Sequence, residues 1–322
     1  MILVTGGAGY IGSHCVKRLL DKGYAVVVID NLSRGHRDAV LTGDFVHGSI
    51  GDRRILEEVF TRWPIEVVMH FSALAYVGES MERPAEYYEN NVAQTLTLLT
   101  ACRDYGVKYV IFSSTCATYG EVERVPITED TPIAPLNPYG HSKRMVEVIL
   151  EDFDRAYGIK SCIFRYFNAA GADPSGMLRE RHQPETHLIP IVLEVAAGQR
   201  EYVEIFGTDY PTPDGTCIRD YVHVNDLSDA HILGIEYLRS GSPSMIFNLG
   251  SEKGFSVREV IDTCECVTGR TILVKEGQRR PGDAPRLVAE ATRAKTLLGW
   301  RPERSDLRTI VADAWHAMRC CR

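Results

Sequence analysis

A tyrosine and a lysine on one predicted helix face form a candidate proton-transfer pair. Asn137 and Pro138 suit the N-cap and the first position of a helix, so Tyr139 and Lys143 lie one turn apart. A phenol with a pKa of about 10 is a poor base at neutral pH. The lysine ammonium and the positive helix end favour the phenolate, which predicts a lowered pKa. Because this spacing is common, an incidental pair in an ordinary helix remains the alternative.

Hydroxyl side chains follow an apolar run, where a strand is expected to end. Ser113, Ser114 and Thr115 come directly after residues 109–112. Such hydroxyls can donate to an alcohol, or relay a proton from it, while the alcohol is oxidised. The alternative is that they only cap the turn after the strand.

A glycine-rich turn at the start of the chain predicts a dinucleotide site. Gly7-x-Gly9-x-x-Gly12 lies between an apolar strand and a helical pattern, and a second strand ends at Asp30. The glycines allow a sharp turn, close approach of the pyrophosphate and close helix packing, and the helix N-terminus favours phosphate. A carboxylate at position 30 suits ribose hydroxyls and disfavours a 2′-phosphate, so we expect NAD. The alternative is an ordinary glycine-rich turn followed by a surface acid.

Apolar runs alternate with helical periodicity over the first half. Runs at 2–4, 25–29, 44–47, 66–71, 109–113 and 161–165 predict strands, and 53–63, 85–105 and 138–157 predict helices. Later runs at 246–249 and 272–275 predict two further strands. This pattern indicates an α/β fold, with a Rossmann-type doubly wound parallel sheet and a second, smaller α/β domain that binds substrate. We expect residues 1–170 and about 218–248 in the NAD-binding domain. We expect residues of about 171–217 and 249–322 in the substrate domain.

Composition excludes several function classes. The 322 residues are 44% hydrophobic and 25% charged, with a net charge of −7, so no basic surface favours nucleic acid or membrane lipid. No apolar run is long enough for a membrane helix. The nine cysteines have no framework or zinc spacing, as Cys264-x-Cys266 and Cys320-Cys321 illustrate. We expect reduced thiols, no metal site and a cytoplasmic protein.

Taken together, these stretches resemble the extended short-chain dehydrogenase/reductase family, and later motifs resemble its UDP-glucose 4-epimerases. The motifs span essentially the whole chain, at 166–168, 171–176, 184–190, 205–210, 214–223 and 280–283. The resemblance implies that Tyr139 accepts the proton of the sugar 4-hydroxyl while hydride leaves C4. Lys143 would orient Tyr139 and hold the nicotinamide ribose, and Thr115 would share in the proton transfer. The 4-keto sugar would then turn over and be reduced on its other face.

The resemblance also implies two sets of binding residues. The NAD-binding set comprises Gly6, Gly9, Tyr10, Ile11, Gly12, Asp30, Asn31, Ser49, Ile50, Phe71, Ala73, Asn90, Ser113, Tyr139, Lys143 and Tyr166. The set that would hold the UDP-sugar comprises Thr115, Asn168, Leu188, Phe206, Arg219, Tyr221, Arg280, Asp283 and Leu287. Two positions depart from the family pattern, because Ser49 replaces a common aspartate and Ala75 a lysine found in some members. For each arginine, a surface ion pair is the alternative role.

Substrate range and assembly stay open at this point. Leu287 stands where a tyrosine excludes N-acetyl hexosamines in the family, so we expect some activity on UDP-N-acetylglucosamine unless neighbouring side chains fill the space. A 4,6-dehydratase is disfavoured, because Cys116-Ala117 follow Thr115 where that chemistry needs an acid and a base. An epimerase of a UDP-uronic acid or UDP-pentose, and a silent NAD-sensing regulator, remain alternatives. A homodimer through helices 85–105 and 138–157 is implied, unless these helices only cover the sheet.

Overall fold

The strands define the architecture of the chain. The computed structural model describes residues 1–280 and 283–320, so Pro281 and Gly282 of the last family motif, and Cys321 of the terminal cysteine pair, lie outside the described residues. The strands in this part are β1 (Ile2–Thr5), β2 (Val26–Asp30), β3 (Phe45–His47), β4 (Val67–His70), β5 (Tyr109–Thr115), β6 (Lys160–Tyr166), β7 (Asn168–Ala170), β8 (Val203–Phe206), β9 (Ile218–His223), β10 (Met245–Leu249), β11 (Gly254–Ser256), β12 (Val274–Gly277) and β13 (Arg286–Leu287).

Helices connect most of these strands. Within the same residues they are α1 (Tyr10–Asp21), α2 (Arg53–Arg62), α3 (Val77–Glu82), α4 (Pro84–Tyr88), α5 (Gln94–Asp104), α6 (Pro138–Tyr157), α7 (Leu188–Ala196), α8 (Val224–Arg239), α9 (Val257–Thr268), α10 (Thr292–Leu297) and α11 (Leu307–Cys320). None of them, in the part of the chain that is described, is long and apolar enough to cross a bilayer.

A parallel sheet of seven strands organises the first half of the described chain and also includes β10 from the second half. Its order is β10-β6-β5-β4-β1-β2-β3, with every neighbouring pair parallel. The central strands are fully buried Val, Ile, Leu and Met runs, as expected for strands covered on both faces. One face packs against α1 and α8, and the other against α2, α5 and α6. The predicted fold class is confirmed.

The second half forms smaller sheets beside the large one. Strand β9 pairs with β7, β11 and β13, and β8 pairs with β12. A third apolar core lies between these strands and α7, α9 and α11. The segment 218–248, which we expected in the NAD-binding domain, is divided between the sheets. Its strand β9 belongs to a small sheet, whereas α8 packs on the large sheet and β10 is one of its strands. The assignment of two domains to two ligands stays a prediction.

Two local predictions differ from the structure in their bounds. The strand predicted at 272–275 is β12, Val274–Gly277, because the partner that fixes its register is β8. The helix predicted over 85–105 is interrupted by a π-helical turn, Glu89–Ala93, between α4 and α5. Such turns often mark functional sites. Here the turn carries Asn90 and Asn91 towards the carboxyl edge of the large sheet.

Candidate active site

The glycine-rich turn between β1 and α1 is shaped by close backbone packing. A Cβ on Gly12 would lie 2.2 Å from the carbonyl oxygen of Gly6, and a Cβ on Gly7 would lie 2.7 Å from Val28 Cγ1. Gly6 has a φ of +71°. These positions exclude side chains, so α1 begins directly above the strand with its free N–H groups at the turn. The turn therefore fits the pyrophosphate of a dinucleotide.

Asp30 organises the same turn from the end of β2. Its Oδ2 accepts a hydrogen bond from the Ala8 N–H at 3.0 Å, and its Oδ1 accepts one from the Leu32 N–H at 2.8 Å. Each carboxylate oxygen keeps a further lone pair. The carboxylate thus has acceptor capacity left for ribose hydroxyls, while it holds the backbone that would contact them.

The Tyr139 hydroxyl lies against Thr115 in a buried setting. Asn137 caps α6, since its side chain accepts from the Gly140 N–H at 2.8 Å, and Pro138 occupies the first turn as predicted. Burial raises the pKa of Tyr139 to about 12, although the hydrogen bond with Thr115 lowers it. The predicted lowering of this pKa is therefore wrong for the protein alone. The cause is desolvation, which outweighs the favourable contacts.

Lys143 turns its ammonium towards the end of β5. Its Nζ donates to the carbonyl oxygen of Ser113 at 2.8 Å and lies 6.0 Å from the centre of the Tyr139 ring. Burial lowers the pKa of Lys143 to about 7, and the charge of Glu147 opposes that shift. Lys143 is thus fixed at the end of β5 with its ammonium near the Tyr139 ring.

Ser113 and Tyr166 meet across neighbouring strands at the same edge. The Ser113 hydroxyl is hydrogen bonded to the Tyr166 hydroxyl, and both residues are buried. Phe71 and Tyr166 each contact the ring of His231 on α8. The register of β5 with β6 places Thr115 beside Tyr166, so the tyrosine lies next to the Thr115–Tyr139 pair.

The other predicted cofactor residues lie along the carboxyl edge. Asn90 donates to Asn91 at 2.8 Å, and Asn91 donates to the Ser142 hydroxyl on α6 at 3.0 Å. Ser49 donates to Gln94 at 2.9 Å, so the residue that replaces the common aspartate is held by α5. The remaining members are Tyr10 and Ile11 at the start of α1, Asn31 after β2, Ile50 after β3 and Ala73 after β4.

The predicted nucleotide-sugar residues converge on a charged group in the second half. Arg219 Nη2 donates to Asp283 Oδ1 at 2.7 Å, and Arg280 Nη2 donates to Asp283 Oδ2 at 2.9 Å. The Arg280 guanidinium lies 4.9 Å from the centre of the exposed Phe206 ring. One carboxylate thus holds two guanidinium groups and leaves other N–H donors of Arg280 exposed for an anion.

Four further predicted residues lie on elements of the second half. Asn168 donates to the carbonyl oxygen of Asp220 at 2.9 Å, between β7 and β9. Tyr221 is buried, and Leu188 is the first residue of α7. Leu287 pairs with Arg219 and packs against the cluster of Tyr119, Ile127, Phe167 and Ala289. The strand pairing thus brings Leu287 next to the arginine that we expect to bind phosphate.

Sequence reasoning missed the buried ion pair between α6, the helix of Tyr139 and Lys143, and β6. Glu147 accepts two hydrogen bonds from Arg165, at 2.9 Å and 2.6 Å, and one from the Ser114 hydroxyl at 2.6 Å. Its position four residues after Lys143, on the same helix face, was the available signal. Glu147 is the group that opposes the lowering of the Lys143 pKa by burial.

Comparison with known proteins identifies the family. The model of the NAD dependent epimerase/dehydratase family matches residues 2–250. The chain belongs to this family. A UDP-glucose 4-epimerase of Halalkalibacterium halodurans is 53% identical over 98% of this chain and 94% of its own.

Solved structures of the family extend the similarity to the whole fold. The UDP-glucose 4-epimerase of Brucella ovis in complex with NAD has a TM-score of 0.96 at 50% identity, covering 98% of this chain and 97% of its own. The UDP-Glc/GlcNAc 4-epimerase of Campylobacter jejuni has a TM-score of 0.87 at 41% identity and covers 99% of both chains.

Proposed function

We propose that this family member catalyses the reversible C4 epimerisation of UDP-glucose and UDP-galactose, with NAD as a tightly bound cofactor. The observation that carries the proposal is the Thr115–Tyr139–Lys143 group at the edge of the sheet that also holds the glycine-rich turn. A base, a hydroxyl and a dinucleotide turn on one edge suit the oxidation and re-reduction of a sugar alcohol.

The cofactor would extend along the carboxyl edge of the large sheet. The turn at Gly6, Gly9 and Gly12 and the N-terminus of α1 would hold its phosphates, and Asp30 would accept from the adenosine ribose. Lys143, Ser113 and Tyr166 would surround the nicotinamide ribose and ring. When bound, NAD supplies the acceptor and donor for the C4 hydride and a positive ring charge that opposes the effect of burial on Tyr139.

The protein's own part in the reaction is proton transfer and orientation. Tyr139 takes the proton of the sugar 4-hydroxyl and later returns it to the keto oxygen. Thr115 hydrogen bonds with the same phenol and so favours its ionised form. The hydrogen bond to the Ser113 carbonyl oxygen fixes the Lys143 side chain. When Lys143 is protonated, it carries a positive charge one turn after Tyr139 on α6.

The UDP moiety would bind to the second half of the chain. Arg219 and Arg280 would contact its phosphates, and Asp283, which already accepts from both, would accept from its ribose hydroxyls. Phe206, with its ring exposed, offers a face for the uracil base. A strong hold on UDP and few contacts to the hexose would let the keto sugar turn over between the two hydride transfers.

We also propose activity on UDP-N-acetylglucosamine. Leu287 is smaller than the tyrosine expected to exclude the N-acetyl group, and the similar enzyme of Campylobacter jejuni is a UDP-Glc/GlcNAc 4-epimerase. Steady-state rates on the two UDP-sugars test this proposal. Measurable N-acetyl activity in the wild type that falls in Leu287→Tyr supports it, and no measurable activity refutes it.

We propose a cytoplasmic homodimer. Exposed apolar side chains of Met81, Leu96, Met145 and Val148 lie on α3, α5 and α6, and α6 packs against both of the other helices. A patch on adjacent helices is suited to a symmetric contact with a second copy. Light scattering of wild type and Val148→Arg tests it: a dimer that the substitution weakens is expected, and a monomeric wild type contradicts the proposal. Fluorescent-fusion imaging tests the cytoplasmic assignment, which a membrane-associated or exported signal contradicts.

The function is tested by incubating the purified chain, without added NAD, with UDP-galactose and in parallel with a UDP-uronic acid and a UDP-pentose. From UDP-galactose we expect UDP-glucose, identified by NMR, and no other product. A 4-keto-6-deoxy product would indicate a dehydratase, and conversion of only a UDP-uronic acid or UDP-pentose would indicate another epimerase. No conversion of any of these by protein that retains NAD would support a silent regulator.

A further inference from the structure

The loop between β7 and α7 gathers two carboxylates and two imidazoles. The side chains of Glu180, His182, Glu185 and His187 each offer a ligand atom, and these atoms all lie within 4.8 Å of one another. Their spacing in the sequence is Glu-x-His-x-x-Glu-x-His. We call these four residues the Glu/His cluster. None of them takes part in the proposed reaction.

Distances within the Glu/His cluster fit a tetrahedral ion. Glu180 Oε1 lies 2.9 Å from both His182 Nδ1 and His187 Nδ1. Glu185 Oε1 lies 2.8 Å from His187 Nδ1, and Glu185 Oε2 lies 3.8 Å from His182 Nδ1. Bonds of about 2.0–2.1 Å in a tetrahedral zinc site separate neighbouring ligand atoms by about 3.3 Å. The measured separations lie on either side of that value.

One nitrogen of the cluster lacks a hydrogen bond among the described residues. His182 Nδ1 is a buried atom without a hydrogen-bond partner, although Glu180 Oε1 is only 2.9 Å away. The contact is therefore close but badly directed for an N–H donor. A buried polar atom without a partner is costly, whereas a cation between the nitrogen and the carboxylate would use both lone pairs.

The carboxylates of the cluster are almost fully enclosed. The side chains of Glu180 and Glu185 are 7% and 6% exposed. Two buried negative charges need compensation. His187 supplies part of it, because, against the effect of burial, the neighbouring carboxylates Glu180 and Glu185 raise its pKa to about 10. A divalent cation would neutralise both carboxylates and leave the histidines neutral, which is the form that binds metal.

We propose that the Glu/His cluster binds Zn²⁺ or an ion of closely similar chemistry. Two imidazole nitrogens disfavour Mg²⁺ and Ca²⁺, which prefer oxygen ligands, and two carboxylates disfavour Cu⁺. With four protein ligands the site is closed, as in structural rather than catalytic zinc sites. This proposal differs from the sequence analysis, which predicts no metal site.

The role of the ion would be to fasten this loop to the first half of the chain. The His182 ring packs edge-on against the rings of Tyr10 and Tyr76. Arg34 donates to the carbonyl oxygen of Gln183 at 3.2 Å, so the loop already lies on the segment after β2. The loop leads directly into α7, whose first residue is Leu188.

Metal content of the full chain tests the proposal. Protein is stripped with a chelator, titrated with Zn²⁺ against a chromophoric competitor, and analysed by elemental mass spectrometry. We expect one Zn²⁺ per chain, no retention of Mg²⁺ or Ca²⁺ and, at saturating Zn²⁺, an unfolding temperature raised by about 5 °C or more. Failure of the wild-type chain to bind Zn²⁺ overturns the proposal, whatever its epimerase activity.

Two matched variants locate the site. His182→Ala with His187→Ala should lose the bound ion and the thermal shift. His316→Ala removes an exposed imidazole beside Cys320 and should keep both. Equal binding in the double variant and the wild type would assign the ion to another place and overturn the proposal. If the double variant does not fold, Glu180→Gln must weaken Zn²⁺ binding, and unchanged affinity contradicts the site.

Discussion

At the scale of single residues, the proposed chemistry is governed by opposing effects on a few buried groups. Burial raises the pKa of Tyr139 to about 12, and the hydrogen bond with Thr115 lowers it. Burial also lowers the pKa of Lys143 to about 7, against the charge of Glu147. The protein alone therefore holds the base in its protonated form at neutral pH. The reaction therefore also needs a positive charge near the phenol, because such a charge favours the phenolate.

Removal of the Thr115 hydroxyl should make Tyr139 a weaker base at neutral pH. Because that hydroxyl lowers the Tyr139 pKa, Thr115→Val raises it, and the rising limb of the pH–rate profile moves to higher pH. At neutral pH we expect a loss in kcat of roughly tenfold or more, since one pKa unit is a factor of ten. Thr115→Ser keeps the hydroxyl and serves as control. An unmoved limb in the valine variant would contradict the assigned role.

At the scale of elements, helix α6 links the reacting residues to the core. Its first turn carries Tyr139, its second Lys143, and its third Glu147, which is paired with Arg165 on β6. The pair is bidentate and lies in the interior, with side chains 2% and 0% exposed. This contact fixes the rotation of α6 against β5 and β6, and so the direction in which Tyr139 points.

Breaking the Glu147–Arg165 pair should destabilise the fold. Glu147→Gln leaves a buried guanidinium without its counter-charge, and we expect a loss of about 3–5 kcal/mol in the free energy of unfolding. Urea denaturation followed by circular dichroism measures it. Glu151→Gln, at an exposed position on the same helix, should stay within about 0.5 kcal/mol. A comparable loss in both variants would mean that the pair has no special role.

A side chain at Gly12 should separate α1 from the glycine-rich turn. In Gly12→Ala the new Cβ would meet the Gly6 carbonyl oxygen at 2.2 Å, so the backbone must shift. We expect a stability loss of about 1–3 kcal/mol or more and purified protein without NAD. Gly78→Ala is the control, since nothing lies within 4 Å of its Cβ and alanine favours the helix. Full NAD content in the Gly12 variant would refute the proposed cradle.

Element-level patterns in the sequence predicted much of this arrangement. Apolar runs and helix periodicity identified the seven strands of the large sheet, apart from their order. The caps at Asn137 and Pro138 fixed the start of α6. The π-helical turn at Glu89–Ala93 and the register of β12 were not predictable, because both depend on contacts with distant segments. The pKa of Tyr139 was mispredicted for the same reason, since burial is a tertiary property.

At the scale of the whole molecule, the interior contains neutral histidines that join distant parts. His70 is held between the Thr5 and Thr95 hydroxyls at 2.7 Å and 2.8 Å, and so ties β1 and β4 to α5. His231 packs among Phe71, Phe164 and Tyr166. Burial lowers the pKa of His70 to about 3 and those of His14 and His231 to about 4.

These histidines should make the fold sensitive to mild acid. Below about pH 6.5 the unfolded chain binds protons at these positions that the folded chain does not bind, so stability falls as the pH falls towards 4. At pH 5.5 each of these histidines lowers the free energy of unfolding by about 1 kcal/mol compared with pH 7.5. Urea unfolding at both pH values measures the loss. His70→Gln, which can bond to both hydroxyls, should lose less than the wild type, and an equal loss would contradict this origin.

The Tyr139 hydroxyl is the atom on which the proposed reaction depends most directly. Epimerisation of UDP-galactose by wild type and Tyr139→Phe, each with its NAD and UDP affinities measured, tests it. We predict that kcat falls by roughly 100-fold or more in the variant, as for loss of a general base, while both affinities remain near those of the wild type. Turnover near the wild-type rate in Tyr139→Phe would contradict the account.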